Sequence, residues 1–383
     1  MIDVAVIGGG PAGLLAALLA ARAGAKVALV AAPLRADTRT TALLDGSVAI
    51  LRDAGLWSRL EGGAAPLRRL RLVDGGRRLF RAPEITFDSA EVGLDAFGWN
   101  VPNAALTAVL GEALAAEPGA RVIAGSAVAS RPDEDQVAIE LEGGLALSAR
   151  LVIAADGRRS LMREAAGIEL ALRRQPQTAL AFCAAHERDH DGVSTEFHCE
   201  EGPFTLVPMP GLRSSVVWVV TPERAEELRA LGPDAFGEAL TRRAGRLLGA
   251  MRPDGPIGAF PIEVGAATRM AARRTLLVGE AAHVLPPIGA QGLNLGVRDA
   301  AAAARAIAAA IAERRDVGGF ATLSAYSRDR ASDVWSRTVA TDALNRSLMS
   351  GWPAAHAARG AGVRALAAIG PLRRFVMRQG LGR

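Results

Sequence analysis

Cysteine is almost absent: Cys183 and Cys199 are the only two in 383 residues. Their separation matches neither a redox pair nor a zinc ligand set. This excludes a disulfide scaffold and leaves both as small packing residues of a chain expected in a reducing cytoplasm. Lysine is scarcer still, because Lys26 stands alone and arginine supplies the rest of the 45 basic side chains. The net charge of +5 is therefore an arginine surplus, for which a GC-rich genome is the bland explanation. Aromatic residues make up 4% of the chain, and scattered arginines with so few rings make no stacking platform, so nucleic acid is disfavoured as a partner. His186, His190 and His198 have no Asp, Glu or Cys at ligand spacing beside them, so no metal is expected. Internal repeats, Ser/Gly-rich or Pro-rich linkers and a targeting segment are all missing from the reading.

What is present begins at the N-terminus. The apolar stretch from Val4 to Ala21 imitates a membrane span, but no basic region precedes it and four glycines interrupt it, so it is assigned to the fold. Val4-Ala5-Val6-Ile7 is a buried-strand pattern that runs into Gly8-Gly9-Gly10-Pro11-Ala12-Gly13 and then an apolar helix. Gly8, Gly10 and Gly13 have the G-x-G-x-x-G spacing of a tight turn, a close backbone approach to a pyrophosphate and close helix packing, which predicts a dinucleotide site. The acid expected about twenty residues on to hold the adenosine ribose is missing. Lys26-Val27-Ala28-Leu29-Val30 leads instead into Ala31, and the nearest acid is Asp37. A rival reading places NADP here, with Arg35 on its 2′-phosphate.

Two further segments follow strands. Leu151-Val152-Ile153-Ala154-Ala155 ends in Asp156-Gly157-Arg158-Arg159-Ser160, with Arg163 beyond. Leu276-Leu277-Val278 delivers Gly279-Glu280-Ala281-Ala282-His283, then Pro287-Ile288-Gly289-Ala290-Gln291-Gly292-Leu293-Asn294-Leu295-Gly296 and Arg298-Asp299, opening an Ala-rich helix. A helix start with free backbone N–H groups from about Gln291 to Asn294 suits an anionic ligand atom.

The last stretch resembles the G-D-A-A-H…P…G-Q-G-x-N-x-G signature of the FAD-dependent aromatic hydroxylases, the class A flavoprotein monooxygenases. The segment at Asp156 resembles their D-G-x-x-S-x-x-R motif. Asp37-Thr38-Arg39-Thr40-Thr41-Ala42-Leu43, with Ser47 and Gly55-Leu56-Trp57, is similar to the ubiquinone-biosynthesis hydroxylases of the UbiH/UbiF type. So is the later pattern of Tyr326, Arg330, Asp333, Thr341-Asp342-Ala343-Leu344 and Pro371-Leu372-Arg373 before Gly380. Ala31, Glu280 for the usual Asp, and Gly289-Ala290 for the commoner Ala-Gly are departures.

The resemblance implies an α/β fold: a Rossmann-like, p-hydroxybenzoate-hydroxylase-like FAD-binding domain interleaved with a mainly antiparallel substrate domain, then a C-terminal helical segment. The expected boundaries are 1–73, 95–170 and 264–330 for the first, 74–94 and 171–263 for the second, and 331–383 for the third. It implies FAD contacts at Gly8, Gly10, Pro11, Ala12 and Gly13, at Asp156 and Gly157, and at Gly279 and Glu280. Further contacts are implied at Pro287, Gly289, Ala290, Gln291, Gly292, Leu293 and Asn294, with Arg39 on a flavin or NAD(P)H phosphate. With Ala31 in place of the acid, FAD retention is expected to be weaker. NAD(P)H would reduce FAD and dioxygen would add at flavin C4a, giving a hydroperoxide that hydroxylates an electron-rich phenol in a dry pocket.

The middle, from about Arg173 to Glu263, has strand-like segments at 178–184, 204–207 and 215–220. It predicts an antiparallel sheet over the flavin. Phe204, Trp218, Phe260 and Pro286 are candidates for an apolar substrate pocket, with sheet core as the alternative. From Ala354 to Arg383 the chain carries Arg359, Arg364, Arg373, Arg374, Arg378 and Arg383 and no acid. Leu366, Ile369, Leu372, Phe375, Val376 and Met377 interleave with them, which suits either contact with an anionic membrane surface or packing on the domain.

Three functions stay open: hydroxylation of a polyprenylated phenol in ubiquinone biosynthesis, hydroxylation of a small soluble aromatic compound, and non-catalytic service beside quinone-biosynthesis proteins. The first would place the protein in the cytoplasm or at the periphery of the inner membrane.

Overall fold

A computed structural model of the chain describes residues 2–33, 37–76, 83–199 and 202–349, and further on 360–362, 364–366 and 368–381. Arg35, Arg359 and Arg383 lie outside the described residues.

The first sheet is built on parallel strands buried on both faces, which is why they read as unbroken apolar runs. Ile2–Ile7 pairs with Val27–Ala31 on one side and with Ala146–Ala154 on the other, with Val4 opposite both Val27 and Leu151. Ala120–Ala124 extends it beyond Val27–Ala31, and Thr275–Leu277 extends it beyond Ala146–Ala154. An antiparallel pair, Ala127–Pro132 and Val137–Leu141, is attached to Ala146–Ala154. Helices Pro11–Arg22, Asn103–Ala115 and Gln291–Ala312 supply buried residues to the same core.

The second sheet has nine strands. From edge to edge they run His283–Val284, Gly258–Ala267, Leu170–His186, Arg213–Val220, Gly202–Met209, Val193–Cys199, Arg69–Asp74 and Ile85–Asp88, with Met251–Pro253 also on Leu170–His186. Its pairs are antiparallel except for Val193–Cys199 with Arg69–Asp74. The strand-like segments of the middle region fall within it. Arg69–Asp74, assigned from sequence almost wholly to the dinucleotide-binding part, pairs here, and Gly258–Ala267 runs across the expected boundary at 264.

Alternation along these strands creates two different faces. Leu180, Phe182, Phe204, Leu206, Val216 and Trp218 form one, packed with Leu228, Phe236 and Leu240 of helices Pro222–Arg229 and Pro233–Arg243. Ala179, Val217, Val219, Ile262 and Val264 cluster on the other, where Ala179 is paired with Phe260. This second face meets the first part of the chain: the Cys183 Sγ donates to Thr38 O at 3.8 Å, and the Arg39 guanidinium carbon sits 5.1 Å from the Phe260 ring centre.

A small third sheet pairs Gly98–Pro102 with Thr40–Leu44 and with Ala65–Pro66. It is tied to the second sheet where Asn100 Nδ2 donates to Pro208 O at 2.8 Å. Helix Phe320–Met349 runs on from the first part, and helix Gly370–Leu381 closes the described chain. Met377 packs with Ile85 and Phe87, and Arg373 lies over the Phe87 ring and pairs with Glu91 at 2.5 Å. No helix among the described residues is long and apolar enough to cross a membrane.

Candidate flavin site

Three turns far apart in sequence touch because their residues are small. Gly8 has φ of 120°, and a Cβ there would stand 2.0 Å from the Ala155 carbonyl oxygen; one at Gly13 would stand 2.1 Å from Gly8 O. Gly296 brings helix Gln291–Ala312 onto Ala12, since its Cβ would lie 3.1 Å from the Ala12 Cβ and 3.4 Å from the Gly279 Cα. Glycine is required at Gly8 for the fold to close, whatever binds there.

Two helix starts open at this junction. Helix Pro11–Arg22 begins with proline after Gly10 and has no side-chain cap, so the N–H groups of Ala12 and Gly13 are free. Helix Gln291–Ala312 is also uncapped by any side chain, which leaves the N–H groups of Gln291, Gly292 and Leu293 free. Space lies open over Gly10, Gly157 and Gly292, where nothing within 4 Å would meet an added Cβ. Pro287, Gly289 and Gly292 are exposed at the mouth, while Pro286, Ile288 and Gln291 are buried beneath them. Free amide donors at two helix ends suit a pyrophosphate at the first and the electron-rich edge of a ring at the second. The residues present therefore fit FAD.

Ala290, the residue before the helix, sits in the left-handed region at φ 53°, ψ 32°. Asn294 does not face the opening. It is wholly buried, accepts from Leu44 N at 2.8 Å, and donates to Ala42 O at 2.8 Å and Ala290 O at 2.5 Å. Its side chain fastens strand Thr40–Leu44 to the turn.

At the second turn, the Asp156 carboxylate accepts from Ser160 Oγ at 2.5 Å and Met162 N at 3.2 Å. Burial raises its pKa, with those bonds opposing. Ser160 caps helix Leu161–Ala165 by accepting from Arg163 N, and the buried Arg163 donates to Arg158 O at 3.0 Å. These bonds fix the Asp156 side chain within the turn.

Arg158 reaches outward, with Nη1 on Glu263 at 2.7 Å and Nη2 on Glu280 at 3.4 Å. Arg158, Arg159, Arg174, Pro261 and Glu263 line an open cleft of about 540 Å³. Asp37, the nearest acid to the ribose position, is already committed. It accepts from Arg39 Nε and Nη2, both at 2.8 Å, and from Asn103 Nδ2 at 3.0 Å. Burial opposes ionisation of Asp37, yet those donors hold its pKa at about 2. Arg39, the candidate phosphate contact, is placed by this pair over Phe260.

Phe260 lies on the sheet face turned toward Arg39 and is 40% exposed. Phe204 and Trp218 do not lie there: both are core residues of the opposite, helix-covered face, with ring centres 5.5 Å apart. Those two pocket candidates are therefore corrected to sheet core. His186, His190 and His198 are each held by neighbours in the second sheet or its connecting turn. No group of three His, Cys, Asp or Glu among the described residues is arranged to hold a metal.

Beneath the turns at Gly279 and Gln291 lies a buried ionic network. Asp299 is fully buried and accepts from Gly279 N at 3.0 Å, His283 Nε2 at 2.7 Å and Arg330 Nε at 2.8 Å. Burial alone would raise its pKa, but the His283 ring and the Arg330 guanidinium hold it below the ordinary carboxylate range. Arg330 continues to Asp333 at 2.8 Å, which also accepts from Arg298 at 2.9 Å and Arg337 at 2.7 Å. Tyr326, fully buried, donates to Leu277 O. An acid among the buried, mostly apolar residues of a helix demands a buried partner, and that is the signal Asp299 carries in the sequence.

A parallel nucleotide-binding sheet, a glycine turn and a second uncapped helix start above it define a dinucleotide-type flavoprotein. The chain belongs to the FAD binding domain family, whose model matches residues 1–340. It is 36% identical to "Ubiquinone hydroxylase UbiL" of Rhodospirillum rubrum, over 99% of this chain and 89% of that protein. It is 28% identical to "3-demethoxyubiquinol 3-hydroxylase" of Escherichia coli, over 99% and 98% respectively. Among solved structures, p-nitrophenol 4-monooxygenase PnpA from Pseudomonas putida DLL-E4 matches with a TM-score of 0.82 at 23% identity, covering 100% of this chain and 98% of that one. At that identity the likeness speaks to the fold. The chain is a flavoprotein of the FAD-dependent monooxygenase class.

Proposed function

We propose that this chain hydroxylates a polyprenylated phenol of ubiquinone biosynthesis, using NAD(P)H and dioxygen. The observation that carries the reading is the near full-length similarity to the ubiquinone hydroxylase of Rhodospirillum rubrum, combined with a site that fits FAD. When bound, FAD takes reducing equivalents from NAD(P)H and activates dioxygen, so that one oxygen atom enters the ring and the other leaves as water. The chain's own part is binding, orientation and exclusion of water.

Free N–H groups at Ala12 and Gly13 receive the pyrophosphate, and those of Gln291, Gly292 and Leu293 favour negative charge at the ring edge. The Arg158, Arg159 and Arg174 cleft suits the phosphates of the reductant. The face bearing Ala179, Val217, Val219 and Phe260 offers an apolar wall for the phenol. The prenyl tail suggests contact with an anionic membrane surface through the last helix, where Leu372, Phe375 and Val376 are exposed beside Arg374 and Arg378.

The test is NAD(P)H oxidation by FAD-loaded protein with and without a short-chain prenylphenol. Oxidation that rises with the phenol and yields a hydroxylated product supports the reading. Oxidation indifferent to prenylphenols but stimulated by small aromatic acids contradicts the substrate class.

A further inference from the structure

We infer that Arg337 is a positioning residue that couples the last helix to the flavin-facing helix start. The inference rests on the reading that the Gln291 turn holds FAD. Gln291, the first residue of its helix, is 9% exposed, and its Oε1 accepts from Arg337 Nη1 at 2.8 Å. The same guanidinium donates to Gln379 O at 3.1 Å and Gly380 O at 3.4 Å. Those carbonyls belong to the final turn of helix Gly370–Leu381, whose last C=O groups have no partner within the helix. Arg337 thus caps the negative end of one helix while orienting the first side chain of another.

Gln291 closes the arrangement by donating through Nε2 to Gly289 O at 3.0 Å and Gly380 O at 3.4 Å. Arg337 itself is fixed by Asp333 at 2.7 Å, and Asp333 connects through Arg330 to Asp299, which accepts from Gly279 N. The turns at Gly279 and Gln291 and the last helix therefore hang on one run of ionic bonds. Lysine cannot replace the planar fork that reaches four acceptors at once. Coupling between two sites is reciprocal. If the last helix steadies the Gln291 turn, FAD seated on that turn must steady the last helix.

The test uses full-length protein titrated with FAD, read by flavin fluorescence and by amide hydrogen exchange over residues 370–381. FAD is expected to slow exchange there in the unaltered chain. Arg337→Met is expected to abolish that protection and to weaken FAD binding about tenfold. Arg305→Met removes an exposed ion pair to Asp329 between the same two long helices, and is expected to change FAD affinity less than about twofold. Exchange over 370–381 that FAD leaves unchanged in the unaltered chain overturns the inference even if Arg337→Met fails to fold. So does Arg337→Met protein that binds FAD as the unaltered chain does while only its melting temperature falls. A chain that takes up no FAD at all instead overturns the flavin reading, and this inference with it.

Discussion

Replacing Asp299 by asparagine keeps the shape of the side chain and removes its charge. Three donors converge on that carboxylate: Gly279 N, His283 Nε2 and Arg330 Nε. Asparagine offers one acceptor oxygen and one NH2 donor, so at least one of the three meets a donor instead. Arg330, 4% exposed, is left with Asp333 as its sole carboxylate. Breaking a buried pair by removing one partner costs about 3–5 kcal/mol. A chain of this length has an unfolding entropy of roughly 0.8 kcal/mol per kelvin, so the melting temperature should fall by about 4–6 °C. The turn at Gly279 loses its anchor at the same time, and FAD affinity should fall with it.

Calorimetry and an FAD titration on Asp299→Asn test both effects. Asp299→Asn combined with Arg330→Met removes the stranded charge and should recover part of the lost stability. A melting temperature within about 1 °C of the parent, together with unchanged FAD affinity, would refute the anchoring role assigned to this network.

Three further perturbations bear on the site. Ala290→Gly relieves a left-handed backbone conformation that favours glycine, and should stabilise the chain by about 0.5–1 kcal/mol in denaturant titration; destabilisation would show that the Ala290 side chain makes a contact of its own worth more than the strain. Ala31→Glu restores an acid beyond the second strand and should tighten FAD binding by about tenfold or more, as a charged hydrogen bond of about 1.5–3 kcal/mol would; unchanged affinity would mean the ribose does not lie there. Burial disfavours the Asp333 anion, but Arg298, Arg337 and Arg330 hold its pKa at about 2, down from 3.8. A depressed folded value means stability present above the unfolded pKa and lost as pH falls through the folded one, so about 2 kcal/mol should disappear between roughly pH 4 and pH 2. Asp333→Asn should flatten the stability profile in that window; an unaltered profile would show that the ion pairs are not formed in solution.

Much of the architecture was legible because glycine and alanine constrain it. Gly8, Gly13 and Gly296 sit where backbones touch, and their spacing within strand, turn and helix could be read without coordinates. The strands of the middle region announced themselves by their apolar and β-branched residues. Which face each strand covers was not legible. Phe204 and Trp218 alternate correctly, but the helices after Thr221 determine that their side is the closed one, while Phe260 points toward Arg39.

The role of Asn294 was hidden for a related reason: its three partners lie in a turn and in a strand some 250 residues earlier. The sequence shows Asp37 only as the nearest acid to the missing ribose partner; that Arg39 and Asn103 occupy its carboxylate depends on how strand and helix meet. Arg337 carried no motif at all, and its partners Gln291 and Gly380 are joined only by the packing of three helices. Local signals record what a backbone must do, whereas long-range polar bonds depend on how finished elements meet.

The most direct test of the account is a single turnover of the FAD-loaded chain, reduced with NAD(P)H and then exposed to isotopically labelled dioxygen with a short-chain prenylphenol. The account predicts one labelled oxygen atom in the phenol product and the other in water. Reduced flavin that consumes dioxygen and leaves the phenol unlabelled would contradict it.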